Sequence, residues 1–243
     1  MLRNCQGSAP DDELSQIVVV SSDSSSSISS TSVLLPELRC PDDSVGWKLD
    51  VLRPKDLISF KRICRDSFPL DYPDSWFDEV VAGKFIAFGV FHGEVLTSLL
   101  VAEITRLSDC DREDQDLDSD PDTLACYILS LAVSAEYRRR GIASVLINHL
   151  LKNYVYAPPF PKLVFLHVLH SNFGAISFYK KSGFRHHATL QNYYVINNVY
   201  QAGCTYVLRT NRSSAPRSVR EFFSFLLALI CKPFRALFRS KLF

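Results

Sequence analysis

Three arginines and a glycine, Arg138-Arg139-Arg140-Gly141, stand where an apolar run, "YILSLAV" (127–133), gives way to a helical pattern beginning near Ile142. A helix N-terminus presents unpaired backbone N–H groups and a partial positive charge. Gly141 lets the backbone approach a ligand closely, Ala143 keeps the next exposed position small, and the arginines add charge around the same spot. The chemistry this describes is the seating of a pyrophosphate. GxxxxGK[ST] and GxGxxG are both missing, so the segment is neither a Walker loop nor a Rossmann fingerprint. Chance often produces Arg-x-x-Gly-x-Ala, and its place between a strand and a helix is what gives it weight.

Two further patterns invite a chemical reading. The aspartates of "SDCDREDQDLDSDPD" (108–122) suggest a calcium loop, but with Asp109 first, the sixth position is Asp114 where glycine is needed. The twelfth is Asp120 rather than a bidentate glutamate. A solvated acidic loop is the better reading, with no metal. His167 lies inside "LVFLHVL", where alternation groups it with Leu163, Phe165 and Leu169. A lone strand histidine is usually a packed or hydrogen-bonded core residue.

The elements that must position these residues alternate strand and helix from Trp47 to about Asn211. "WKLDVLR" reads as a strand and "PKDLISFKRICRDSF" as a helix with Pro54 in its first turn. "FIAFGVFH" and "EVLTSLLVAEI" flank His92-Gly93 as a hairpin. "TLACYILSLAVS" and "KLVFLHVLH" are strands, each followed by a helix, from about Gly141 and over "NFGAISFYKKSGF". "NYYVI" and "CTYVLRT" close the set. The fold class is α/β, a mixed and largely antiparallel sheet with flanking helices.

The chain has 243 residues, 47% of them hydrophobic, and a formal net charge of +1, so its overall charge does not suggest a nucleic-acid binder. Seven scattered cysteines without a CxxC pair argue against a disulfide framework or zinc site and fit a reducing compartment. No apolar stretch reaches the ~20 residues that span a bilayer. Residues 1–44 contain the tract "SSDSSSSISSTS" and are expected to be disordered. Residues 45–211 are the domain, with the acidic segment 108–122 inserted. Residues 212–243 hold seven basic residues against one acid, with "FFSFLLALIC" and "PFRALFRSKLF". Phe234, Leu237, Phe238 and Leu242 share one helical face, and Lys232, Arg235 and Arg239 another. This segment is expected to lie in a membrane interface rather than pack on the domain core.

On these residues the chain resembles the GNAT superfamily of acyl-CoA-dependent acetyltransferases, whose [RQ]-x-x-G-x-[GA] loop binds the coenzyme A pyrophosphate. "FPLDYPDSWF" (68–77), "YILSLAV", "FLHVLHSNFGAISFYKKSGF" (165–184) and "NYYVI" (192–196) occur in the order seen in N-terminal acetyltransferases. The similarity covers about 47–211 and is strongest to the NatF type, whose members sit on Golgi membranes through C-terminal amphipathic helices. The resemblance therefore implies a peripheral protein of the cytoplasmic Golgi face. It leaves a monomer and a homodimer open.

The resemblance also assigns roles. Arg138, Arg139, Arg140, Gly141, Ile142 and Ala143 would bind the pyrophosphate of acetyl-CoA. Leu129 and Leu131 would offer backbone to the coenzyme, with a bulge near Leu129 freeing N–H groups for the thioester carbonyl. Asn172 and Tyr179 match coenzyme-contacting positions of the next helix, and Asn172 reads equally as its N-cap. His167 matches the general base and Tyr127 the catalytic tyrosine, acting with His167 through an ordered water. Phe68, Pro69, Leu70, Asp71 and Tyr72 match the loop that receives the first substrate residues, with Asp71 one methylene shorter than the usual glutamate. Tyr193 and Tyr194 match a second substrate loop, in which Asn192 replaces a frequent third tyrosine.

The implied activity is acetyl transfer from acetyl-CoA to the α-amine of proteins that retain methionine, among them cytosol-facing N-termini of membrane proteins. A lysine (histone) acetyltransferase and a non-catalytic membrane-bound scaffold are the alternatives.

Overall fold

The structure, a computed structural model, describes residues 33–34 and 46–211. The rest of the serine-rich arm and the whole of 212–243, with the membrane segment expected there, lie outside the described residues. Val33–Leu34 form a two-residue strand, β1.

β-Branched and aromatic runs become strands: β2 (Trp47–Val51), β3 (Ile86–His92), β4 (Val95–Arg106), β5 (Leu124–Val133), β6 (Leu163–Leu169), β7 (Arg185–Ile196) and β8 (Val199–Arg209). They form one sheet in the order β1-β2-β3-β4-β5-β6-β8-β7. Every neighbouring pair is antiparallel except β5 and β6, which are joined through helix α3 (Ile142–Leu150), as a parallel pair requires. Helix α1 (Leu57–Ser67) follows a 3-10 turn that Pro54 opens, and α4 (Phe173–Lys181) stops before Gly183, at φ +90°. Helix α2 (Asp74–Val81) was not expected; it is short, and burial of Phe77 and Val80 holds it in place.

Helices cover both faces. On one, Ile142, Leu146 and Leu150 of α3 and Tyr179 of α4 pack on Phe88, Leu100, Ile128 and Leu166 of the strands. On the other, Phe60, Ile63, Phe77 and Val80 of α1 and α2 pack on Phe91, Leu99, Val101 and Ala132. Burying such side chains contributes about 1.5–3 kcal/mol each.

The acidic segment is mostly exposed, as a solvated loop is, but it is held on the sheet rather than structureless. It folds into two 3-10 turns, and Leu107 at its edge and Leu117 within it are fully buried with Tyr127, Leu163, Phe165 and Val207. Its carboxylates are distributed over His167, His187, Lys162 and Arg209 rather than converging on one point. Leu107 at its edge and Leu117 within it account for this order, because their burial draws an otherwise charged segment onto the sheet.

Candidate active site

Two irregularities of the sheet create the site. The register of β4 with β5 passes from Val101–Ser130 to Ala102–Ile128, which leaves Leu129 as the bulged residue. The bulge reverses side-chain parity: Tyr127 faces the acidic segment, whereas Leu131 packs on the α3 side. Beyond it, β5 and β6 separate. They pair only over Ala125–Ile128 with Leu163–Leu166, so the backbone of Leu129 and Leu131 borders a gap in the pairing at the ends of both strands.

At the end of β5 the chain makes the turn that the arginine-glycine spacing predicts. Arg139 has φ +67° and Gly141, the N-cap of α3, has φ +81°. Gly141 has no side chain with which to cap α3, so the first-turn N–H groups of Ile142 and Ala143 remain available to an anion. The Ile142 side chain is buried in the core, which leaves its backbone as its contribution. Arg138 is braced by donating from Nε to the Val133 carbonyl at 2.9 Å, and the Arg140 guanidinium lies 5.5 Å from the Tyr137 ring. At the end of β6, Asn172 caps α4 by accepting from the Ala175 N–H at 3.1 Å. Tyr179 is buried against Phe178 and Phe184, and burial raises its hydroxyl pKa.

On the gap's other side, His167 Nδ1 lies 3.1 Å from the Tyr127 hydroxyl, a direct contact where an intervening water was expected. His167 Nε2 lies 2.9 Å from Asp114 Oδ1. A carboxylate only accepts, so Nε2 carries the proton toward Asp114 and Nδ1 accepts from Tyr127. Tyr127 stacks on Phe165 at 4.6 Å, and burial, then Tyr193 and Tyr194, push its pKa well above the ordinary value of 10.0. It is therefore a neutral O–H.

The Tyr193 ring sits 4.7 Å from His167, and Tyr194 stands at 89° to it. Gly203 makes room for this arrangement: a Cβ there would meet the Tyr193 ring at 2.8 Å. Opposite, Tyr72 stacks on Trp76 at 4.6 Å and shares a 3.3 Å hydrogen bond with Ser130, the residue after the bulge. Burial is the larger influence on Tyr72, pushing its pKa up to about 12 against the lowering effect of Ser130. Phe68 ends α1 and leans toward Tyr72 at 5.8 Å, with Leu70 half-buried and Pro69 and Asp71 exposed at the crest.

The predicted residues thus fall into three groups around one gap: the turn and uncapped helix start at 138–143, a Tyr127–His167 pair, and two aromatic walls. Asp114 is the residue that sequence reasoning missed. It stands among similar acids and 53 residues from His167, and no spacing rule connects them.

A model of the acetyltransferase (GNAT) family matches residues 59–184. The chain belongs to this family of acetyltransferases. It is 36% identical over 177 residues to N-alpha-acetyltransferase 60 of Xenopus tropicalis, covering 70% of this chain and 73% of that protein. It is 32% identical over 187 residues to histone acetyltransferase MCC1 of Arabidopsis thaliana, covering 72% and 75%. Arabidopsis thaliana NAA60 has a similar structure: in complex with a bisubstrate analogue it superposes with a TM-score of 0.63 at 31% identity, covering 69% of this chain and 99% of that one. Its complex with acetyl-CoA gives 0.61 at 30% identity, covering 67% and 98%.

Proposed function

We propose that the enzyme moves acetyl from acetyl-CoA to the α-amine of proteins that keep their initiator methionine, including cytosol-facing N-termini of membrane proteins. Residues 212–243 would hold it at the cytoplasmic face of the Golgi membrane. The observation that carries the catalytic reading is the Asp114–His167–Tyr127 chain ending beside the gap between β5 and β6.

In this reading the 138–143 turn seats the pyrophosphate and the gap takes the extended arm of the co-substrate. Backbone at the Leu129 bulge donates to the thioester carbonyl, where negative charge develops. The C–N bond forms as the C–S bond breaks, and the coenzyme leaves as its thiol. Both His167 nitrogens are engaged, so the amine proton passes to the Tyr127 oxygen while the phenolic proton moves to Nδ1. Asp114 then faces the imidazolium so formed. A protein α-amine, with a pKa of ~7.7–8.0, demands less of such a base than lysine at ~10.4. The apolar wall of Phe68, Leu70 and Tyr72 against Tyr193 and Tyr194 suits a methionine at a chain end.

Resemblance to a histone acetyltransferase keeps lysine transfer as the second reading. One assay separates them: acetyl-CoA with Met-starting peptides, free or blocked at the N-terminus, with or without an internal lysine. Acetylation confined to free N-termini supports the proposal, transfer to lysine in blocked peptides supports the second reading, and no turnover defeats both. Deleting 212–243 should release the protein from membranes with peptide acetylation intact; a truncated protein still on membranes refutes the anchor.

A further inference from the structure

The turn between α3 and β6, Tyr156-Ala157-Pro158-Pro159-Phe160, carries apolar side chains outward. Tyr156 is 53% exposed and Phe160 51%. Its base is firm. Val155 and Pro161 on either side are buried, and the Phe160 N–H donates to the Ala157 carbonyl at 2.9 Å.

The end of the domain is fastened to this same turn. Thr210 Oγ1 donates to the Pro161 carbonyl at 2.7 Å, and Asn211 Nδ2 donates to the carbonyls of Val155 at 2.9 Å and Pro161 at 2.7 Å. The chain therefore departs toward its basic, apolar segment from the foot of an exposed aromatic knob. Lys152, Asn153 and Lys162 are exposed around that knob. Of the carboxylates at this end, Asp120 is paired with Lys162 at 3.4 Å and Asp118 with Arg209 at 3.2 Å, while Asp122 is exposed.

A tyrosine and a phenylalanine on a braced turn, with the exposed Lys152 beside them, have the composition that a bilayer interface accepts. Amphipathic rings rest at the headgroup level, and ammonium groups beside them meet anionic headgroups. We propose that the 156–160 turn is a membrane-contacting element that inserts Tyr156 and Phe160 into an anionic lipid surface. It acts as a second contact point beside residues 212–243 and fixes how the domain is oriented. This rests on the membrane reading of 212–243 given above.

Orientation has a consequence for the site. The turn lies at the start of β5 and β6, where the Lys162 N–H donates to the Leu124 carbonyl at 2.9 Å. The Gly141 turn and Asn172 follow the opposite ends of those strands. Lipid contact at one end leaves the coenzyme seat facing water at the other.

The test uses the full chain and phosphatidylcholine vesicles with and without phosphatidylserine, some carrying bromine-labelled acyl chains. Phe160→Trp is compared with Val199→Trp, which reports from the hairpin tip at the opposite end of the sheet, after subtraction of the Trp47 and Trp76 background. Bromolipid should quench and blue-shift the tryptophan at 160 and leave the one at 199 unchanged. Tyr156→Ser with Phe160→Ser should weaken vesicle binding ~10-fold while soluble-peptide acetylation stays level.

Vesicle binding without quenching at 160 overturns the proposal while leaving the anchor standing. A tryptophan at 160 that is shielded in lipid-free protein, and exposed only after removal of 212–243, overturns it too, because the tail itself would then cover the turn. No vesicle binding by the intact protein removes the anchor and this proposal together.

Discussion

His167 and Asp114 form a buried pair: Nε2 and Oδ1 are 2.9 Å apart, and each side chain is 2% exposed. The pair joins the sheet to a segment that composition alone marks as solvated. It also ties the proposed proton path to the folding of that segment, whose Leu107 and Leu117 are buried beside Tyr127.

Asp114→Asn keeps the shape but turns an acceptor-only group into one that can donate to Nε2. The Nδ1 proton would then face Tyr127 and break the relay. kcat should fall by about 10²-fold or more, with KM for acetyl-CoA within about twofold. Asp116→Asn, which alters an exposed pair with His187, should leave kcat nearly unchanged. Steady-state kinetics on a Met-starting peptide check both, and an active Asp114→Asn enzyme would remove Asp114 from the mechanism.

The pH profile follows from Tyr127. Because burial holds its proton, no phenolate inflection should enter the rate below about pH 10. The rate should rise with deprotonation of the substrate amine near pH ~7.7–8.0 and then level. A second rise between pH 9 and 10 that vanishes in Tyr127→Phe would contradict a neutral phenol.

Alkaline stability has a definite sign. Cys64 and Cys126 are raised from 9.0 to about 12 by burial, and Tyr72 from 10.0 to about 12. The folded protein retains protons that the unfolded chain loses, so the associated stability is complete below about pH 9. It declines as pH climbs toward about 12. Thermal melts from pH 7 to 11 should show Tm falling only above about pH 9, and Cys64→Ala should make the fall shallower even though it lowers Tm at neutral pH.

Gly203→Ala inserts a methyl group 2.8 Å from the Tyr193 ring. Overpacking of this kind costs roughly 1–3 kcal/mol, and displacement of Tyr193 should uncover His167. The measurable outcome is a lower kcat/KM for peptide with little change in KM for acetyl-CoA. Wild-type peptide kinetics in this variant would show that Tyr193 has room to adjust.

Gly141→Val places a β-branched residue at φ +81°, where no neighbouring atom obstructs it but the backbone disfavours it. Strain of roughly 1–3 kcal/mol should open the turn and raise KM for acetyl-CoA several-fold, with kcat less affected. Titration of coenzyme binding checks this directly; unchanged affinity would remove Gly141 from the anion seat.

Much of this architecture is written locally. Alternation and β-branched runs specify β2 to β6, and Arg138–Ala143 is legible because its spacing, charge and glycine lie within six adjacent positions. The bulge at Leu129 and the Asn172 cap were legible through resemblance and N-cap chemistry, and both are present. Other features were not. Helix α2 is too short to announce itself by periodicity, and it depends on Phe77 and Val80 finding the sheet. The direct Tyr127–His167 contact, 40 residues apart, depends on the register of two parallel strands. The sequence by itself determined most of the strands and helices α1, α3 and α4, and it marked a turn suited to an anion, because propensity, capping and charge act over a few residues. Tertiary structure alone decided which aspartate of an acidic run meets His167. Eight carboxylates in 109–122 have similar chemistry, and Asp114 is the one that turns inward, three residues before buried Leu117, to meet His167.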